Sequence, residues 1–225
     1  MAKIFSVVTK SGFSRLLDPL ARALLRAGVT PDMVTVAGTL GAVAGAVVFA
    51  TRGWLVIATF VITACALLDV LDGAMARARG RSTRFGALLD STMDRVADGA
   101  IFGCLAYWLG VTGQHAPLAA ALLCLVLGQL VSYVKARAEG LGLSADVGIA
   151  ERFERLVIIG LGGLGYGFGV PHALPVALWL LVGLSLITVV QRIGHVYRQD
   201  RAADDRAADD PVADDPAAGD RAAER

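Results

Sequence analysis

From Trp54 to Leu68 the chain runs fifteen residues without a charge, and the acids Asp69 and Asp72 follow at once. Apolar blocks of this kind recur at about 34–51, 54–71, 86–109, 117–137, 154–170 and 174–193. Each approaches the roughly 20 residues a helix needs to cross about 30 Å of hydrocarbon. With 56% of its 225 residues hydrophobic and only 18% charged, the chain falls in the membrane class. The expected fold is all-α: a polytopic membrane protein with six transmembrane helices, preceded by an interfacial amphipathic helix. That first helix is read over 10–27, with Phe13, Leu16, Leu17, Leu20, Leu24 and Leu25 on one face and Lys10, Arg15, Arg22 and Arg26 elsewhere.

Four carboxylates interrupt the apolar pattern. Asp69 and Asp72 close one block; Asp90 and Asp94 open the next, after an Arg-rich link. Spacings of three and four put each pair on one face of its helix, so antiparallel neighbouring helices would bring all four together. Ionised carboxylates at a hydrocarbon boundary cost several kcal/mol each unless compensated, and a hard divalent cation with oxygen ligands is the economical source. The physical reading is a magnesium-type metal site.

Written out, Asp69-x2-Asp72-Gly73-x2-Ala76-Arg77-x8-Gly86-x3-Asp90-x3-Asp94 resembles the signature of the CDP-alcohol phosphotransferases at every fixed position and gap. These membrane enzymes move a phosphatidyl or similar group from a CDP-alcohol to an acceptor hydroxyl. The resemblance implies that Asp69, Asp72, Asp90 and Asp94 hold Mg2+, or Mn2+ in its place, and that Asp94 doubles as general base. It also implies that Gly73, Ala76 and Arg77 frame the CDP group. Gly73 suits that role because a residue without Cβ lets a nucleotide approach the helix backbone. Arg77 offers a planar fork for phosphate, and Ser82 and Thr83 offer hydroxyls. Pro31, Asp32 and Thr35 resemble a second nucleotide-contacting stretch, although relatives commonly carry Asn where this chain has Asp32.

The acceptor is read from polar residues outside the signature. Ser132 and Lys135 share a face near the end of the fourth span, Arg152 and Arg155 open the fifth, and Arg192 closes the sixth. Basic groups at three helix ends suit a doubly charged phosphate, whereas the plainer reading makes them topology anchors. The whole-chain arrangement is most similar to the bacterial branch of the family whose acceptor is inositol 1-phosphate. The implied reaction joins CDP-diacylglycerol to that acceptor, giving phosphatidylinositol phosphate and CMP in phospholipid biosynthesis. Glycerol 3-phosphate is the alternative acceptor, and a non-enzymatic divalent-cation carrier is the reading from a different class. Membrane lipids and a second copy of the chain are the expected partners, with no nucleic acid.

Lys and Arg are distributed thirteen to one between the two sides of the spans, with Arg52 alone on the sparse side. Under the positive-inside rule, both termini and the carboxylates face the cytoplasm of a cell membrane. The domain reading is a cytoplasmic segment with its interfacial helix at 1–33, a six-helix domain at 34–198, and a disordered acidic tail at 199–225. The tail nets −5 against +6 for the remainder, and it has no large apolar residue to bury beyond Val212. Cys65, Cys104 and Cys124 all lie inside apolar runs and read as small buried hydrophobes. Gly160-Leu-Gly162-Gly-Leu-Gly165 matches a dinucleotide-binding fingerprint in letters only, since it follows no strand and lies within an apolar span. Asp98, one turn past the signature, reads either as an ion-pair partner of an Arg or as a functional acid.

Overall fold

Thr30 begins the bundle as a capping residue: its hydroxyl accepts from the Met33 amide, and Pro31 fills the first helical position, where no amide is needed. The computed structural model describes residues 18–79 and 83–209. Within them lie α1 (18–26), α2 (Pro31–Phe49), α3 (Leu55–Ala78), α4 (Arg84–Val111), α5 (His115–Gly140), α6 (Arg152–Gly167) and α7 (Ala173–Asp209). A single 3-10 turn, Ala50–Arg52, joins α2 to α3, and among the described residues there is no strand.

The six longer helices form a ring. α3 packs on α2, α2 on α4, α4 on α5, α5 on α7, α7 on α6, and α6 returns to α3. Short connections make successive helices antiparallel, so one end of the bundle gathers the starts of α2, α4 and α6 with the ends of α3, α5 and α7. We call this the site end. α3 and α4, whose direct contact was the condition for closing the four acids together, each pack on α2 and do not pack closely on each other. A cleft therefore separates their acids.

Among the described residues, four helices are long and apolar enough to cross a membrane: Pro31–Arg52, Leu55–Ala78, His115–Gly140 and Ala173–Asp205. α4 has the length, but Arg84, Asp90, Asp94, Arg95 and Asp98 crowd its first half. α6 has 16 residues, so it is short.

The distal half is an apolar core of Leu55, Phe102, Leu105, Leu109, Cys124, Ile159, Leu174, Leu178 and Leu181. Gly53 makes the turn into α3 with φ of 74°, and a Cβ there would stand 2.4 Å from the Trp108 indole nitrogen. At the site end a smaller cluster of Val34, Leu71, Ala74 and Met75 receives Ala21, Leu24 and Leu25 from α1. Leu20, expected on the same apolar face, is exposed. Phe13, Leu16, Leu17, Lys10 and Arg15 of that helix lie outside the described residues.

α7 continues to Asp209, past the boundary expected at 199. Extending an existing helix costs no new nucleation, and the alanines of R-A-A-D-D-R-A-A-D favour propagation. Residues 210–225 lie outside the described residues.

Candidate active site

Two cavities meet at the site end. One, of about 410 Å³, is lined by Pro31, Asp32 and Thr35 of α2, by Asp72, Gly73, Ala76 and Arg79 around the end of α3, and by Thr83, Gly86, Ala87 and Asp90 of α4. The other is an apolar groove of about 1000 Å³ between α3 and α6. It starts at Gly73, Arg77, Asp90, Asp94 and Arg152 and descends past Ile62, Leu156 and Leu164 to Leu55 and Leu174. Gly73 and Asp90 line both cavities.

The polar pocket is built by capping and by close approach. Thr83 caps α4, its hydroxyl accepting from the Gly86 amide at 2.9 Å. A Cβ on Gly86 would stand 2.9 Å from that hydroxyl and 3.1 Å from Asp32 Oδ1, so the glycine lets α2 and α4 come together here. Thr35 donates from its hydroxyl to the Asp72 carboxylate, and both side chains are buried. Thr83 accepts as a cap and retains its own proton for a ligand. Ser82 lies outside the described residues.

The other acids look into the groove, where Arg152, the first residue of α6, reaches across the cleft between α3 and α4. Its Nη1 lies 2.6 Å from Asp69 Oδ2 and 2.7 Å from Asp94 Oδ1, and its Nε lies 3.7 Å from Asp98 Oδ1. Asp94 also faces Arg95 at 3.5 Å. One turn deeper, Asp98 pairs with Arg155, which is 2% exposed. Of the two readings of Asp98, the structure shows the ion pair with an Arg, and that Arg is Arg155. Such a buried pair needs both members, because removal of one strands the other charge.

The four signature acids thus share one region without closing into a cage. Among the described residues no three acids, histidines or cysteines stand together as a ready metal cluster. Asp72 turns to Thr35 and the pocket, whereas Asp69 and Asp94 turn to Arg152. The donor set nonetheless fits a hard divalent cation, since it consists of carboxylate oxygens from both sides of the cleft, and Arg152, which holds one oxygen each of Asp69 and Asp94, would have to yield them to the ion.

The five residues expected around the acceptor are spread out. Lys135 is 38% exposed and pairs with Asp146 at 2.6 Å. Ser132 donates to the Gly128 carbonyl. Arg155 is consumed by Asp98. Arg192, also buried, donates to the carbonyls of Val131 and Val147, with Glu151 at 3.6 Å. Of the three arginines, Arg152 alone lines the groove.

Sequence reasoning missed Gly86, Ala87 and Arg79 as pocket walls and the bridging place of Arg152 among the acids. Gly86 was visible as a fixed position of the signature; the bridge had no local signal, because Arg152 lies 83 residues from Asp69.

The CDP-alcohol phosphatidyltransferase family model matches residues 28–191, a stretch that contains both cavities. The chain belongs to that family. Two relatives named phosphatidylinositol phosphate synthase lie near it. One, from Mycobacterium marinum, is 48% identical over 88% of this chain and 86% of its own length. The other, from Streptomyces avermitilis, is 50% identical over 85% and 82%. Two solved structures of the Mycobacterium tuberculosis phosphatidylinositol phosphate synthase superpose with a TM-score of 0.78. The one with CDP-DAG bound is 48% identical and covers 81% of this chain and 94% of its own. The one in complex with manganese and citrate is 47% identical and covers 80% and 88%.

Proposed function

We propose that this family member transfers the phosphatidyl group of CDP-diacylglycerol to a hydroxyl of inositol 1-phosphate, forming phosphatidylinositol phosphate and CMP. The observation that carries the reading is the junction of a polar pocket with an apolar groove at Gly73 and Asp90, beside Asp69 and Asp94. A nucleotide joined to a lipid by a diphosphate needs those three environments in that order. The names of the relatives, at 48% and 50% identity over most of both chains, support the same substrates.

In this reading Pro31, Asp32, Thr35, Gly73, Ala76, Ser82 and Thr83 receive the cytidine nucleotide, and Arg77 contacts phosphate from the mouth of the groove. Asp69, Asp72, Asp90 and Asp94 would hold Mg2+, which, when bound, neutralises the diphosphate and stabilises departing CMP. Asp94 takes the proton from the attacking inositol hydroxyl. That oxygen bonds to the phosphorus carrying diacylglycerol, the bond from this phosphorus to the oxygen of CMP breaks, and the proton leaves through Asp94. Arg152 holds Asp69 and Asp94 by one nitrogen, and its Nε, which faces Asp98 at 3.7 Å without a hydrogen bond, turns to acceptor phosphate in this reading. Lys135 joins it from α5, and Ser132, Arg155 and Arg192, held by the Gly128 carbonyl, Asp98 and the Val131 and Val147 carbonyls, would have to leave those partners to reach the acceptor.

We further propose that α4 and α6 complete six spans, since each closes the ring between helices apolar enough to cross. The charged site end then faces the cytoplasm with both termini, under the positive-inside rule. α1 lies in the interface, and two chains form a homodimer within the membrane lipid. The domain limits are proposed at 33 and 198, with the acidic tail from 199 starting as a continuation of α7.

Purified protein supplied with CDP-diacylglycerol, Mg2+ and a panel of acceptors tests the reading through CMP release. Inositol 1-phosphate is expected to be turned over far faster than free inositol or glycerol 3-phosphate. A preference for glycerol 3-phosphate would replace the acceptor and keep the family chemistry. No CMP with any acceptor, together with divalent-cation flux, would make the protein a carrier.

A further inference from the structure

The start of α6 carries Arg152 to the acids, yet its capping residue, Glu151, makes no side-chain capping bond. What holds this segment comes from α7. Thr188 Oγ1 accepts from the amides of Ile149 at 3.2 Å and Ala150 at 3.0 Å, and it donates to the Leu184 carbonyl at 2.8 Å. One turn on, Arg192 donates to the Val147 carbonyl at 2.8 Å. Two turns further, the Gln199 amide exchanges two bonds with the backbone of Ser144: Nε2 donates to its carbonyl at 2.6 Å, and Oε1 accepts from its N–H at 3.1 Å. Spacings of four and seven put Thr188, Arg192 and Gln199 on one stripe of α7.

Gly148 makes the seat possible. Its φ is 139°, and a Cβ there would fall 2.5 Å from Thr188 Cγ2, so only glycine lets the loop rest on this hydroxyl. Thr188 itself is fully buried. Sequence position gives no hint of the arrangement, since the bonds join residues 38 to 55 apart.

We propose that Thr188 and Gln199 are positioning residues for the acceptor: by pinning the loop from Ser144 to Ala150, they set where Arg152 stands between Asp69 and Asp94. This rests on the functional reading above, in which Arg152 meets acceptor phosphate. Thr188 acts through amides two and three residues before Arg152, and Gln199 through a residue eight before it, so Thr188 has the larger effect. A misplacement of about 1 Å at a reacting centre can cost up to roughly 100-fold, which is why a loop bond matters to kinetics.

The test compares the full-length parent with Thr188→Val, Thr188→Ser and Gln199→Ala, reading KM for inositol 1-phosphate and for CDP-diacylglycerol separately. Thr188→Val is expected to raise the acceptor KM about tenfold and Gln199→Ala about threefold, with the lipid KM within about twofold of the parent. Thr188→Ser keeps the hydroxyl and restores parent kinetics. Gln199→Ala changes a half-buried residue at the end of the bundle, so it keeps the test decisive if Thr188→Val does not insert. Unchanged acceptor KM in the folded variants, or an equal rise in both KM values, would overturn the proposal. If the parent prefers glycerol 3-phosphate, the acceptor reading fails by itself, and the same KM split measured with glycerol 3-phosphate still decides the positioning role.

Discussion

The two ends of this bundle are held by different physics. At the distal end, Phe102, Leu105 and Leu109 of α4 and Leu174, Leu178 and Leu181 of α7 fill the core with apolar side chains that are almost completely buried. At the site end, carboxylates and guanidinium groups occupy comparable places, joined as Arg152 with Asp69 and Asp94 and as Arg155 with Asp98. Apolar packing stabilises whatever the chemistry nearby, whereas a buried ion pair contributes little net stability and demands that both partners stay. The distal end therefore maintains the ring, and the site end keeps charges poised for a ligand.

The largest effect expected from breaking this division is Asp94→Asn. Loss of a general base costs about 100-fold to 10,000-fold in turnover. The change keeps size and one oxygen, so thermal unfolding in detergent should stay near that of the parent. Activity within about threefold of the parent would remove Asp94 from the base role.

Phe102→Ala attacks the other end. Truncating a buried aromatic costs about 3 to 5 kcal/mol, so the protein should unfold at markedly lower temperature. The molecules that remain folded should show parent KM values for both substrates. A selective rise in acceptor KM would mean that the two ends are not separable.

Arg155→Ala tests the buried pair. Stranding Asp98 should cost about 3 to 5 kcal/mol of stability, and Asp98→Asn in the same chain should recover much of it. No recovery in the double variant would show that Arg155 serves chiefly by packing.

Lys135→Ala is expected to act on kinetics alone. Loss of a charge-assisted contact is worth about 1.5 to 3 kcal/mol in general, and the exposure of Lys135 puts the rise in acceptor KM near the lower end, about tenfold. A topology anchor would instead lower the amount of inserted protein and leave KM alone.

The smallest effect is expected at the C-terminus. Truncation after Asp209 should leave both KM values unchanged, because the bonds from α7 to the α5–α6 loop end at Gln199. Truncation after Arg198 removes Gln199 and should raise the acceptor KM about as much as Gln199→Ala, roughly threefold. Equal behaviour of the two truncations would dissolve the boundary between positioning helix and tail.

What the sequence determined by itself was local. Apolar blocks dictated helices, because backbone groups must be satisfied within each segment. Thr30-Pro31 marked the start of α2, and the motif from Asp69 through Gly73, Ala76, Arg77, Gly86 and Asp90 to Asp94 pointed by resemblance to the family whose model matches. Pro31, Asp32, Thr35, Gly73, Ala76 and Thr83, which the resemblance grouped, line one cavity, although α2, the end of α3 and the start of α4 had to pack together to form it. The neighbours of each helix were not readable: whether α3 and α4 touch was open, and in the ring each packs on α2 instead. Likewise, three helix-end arginines that look equivalent in sequence came to separate ends: Arg152 at the acids, Arg155 buried on Asp98, and Arg192 on backbone carbonyls. Helical periodicity fixes which side chains share a face, but the partner of a charge is chosen by whichever opposite charge or carbonyl the packed ring leaves within reach, across 45 to 83 residues of chain.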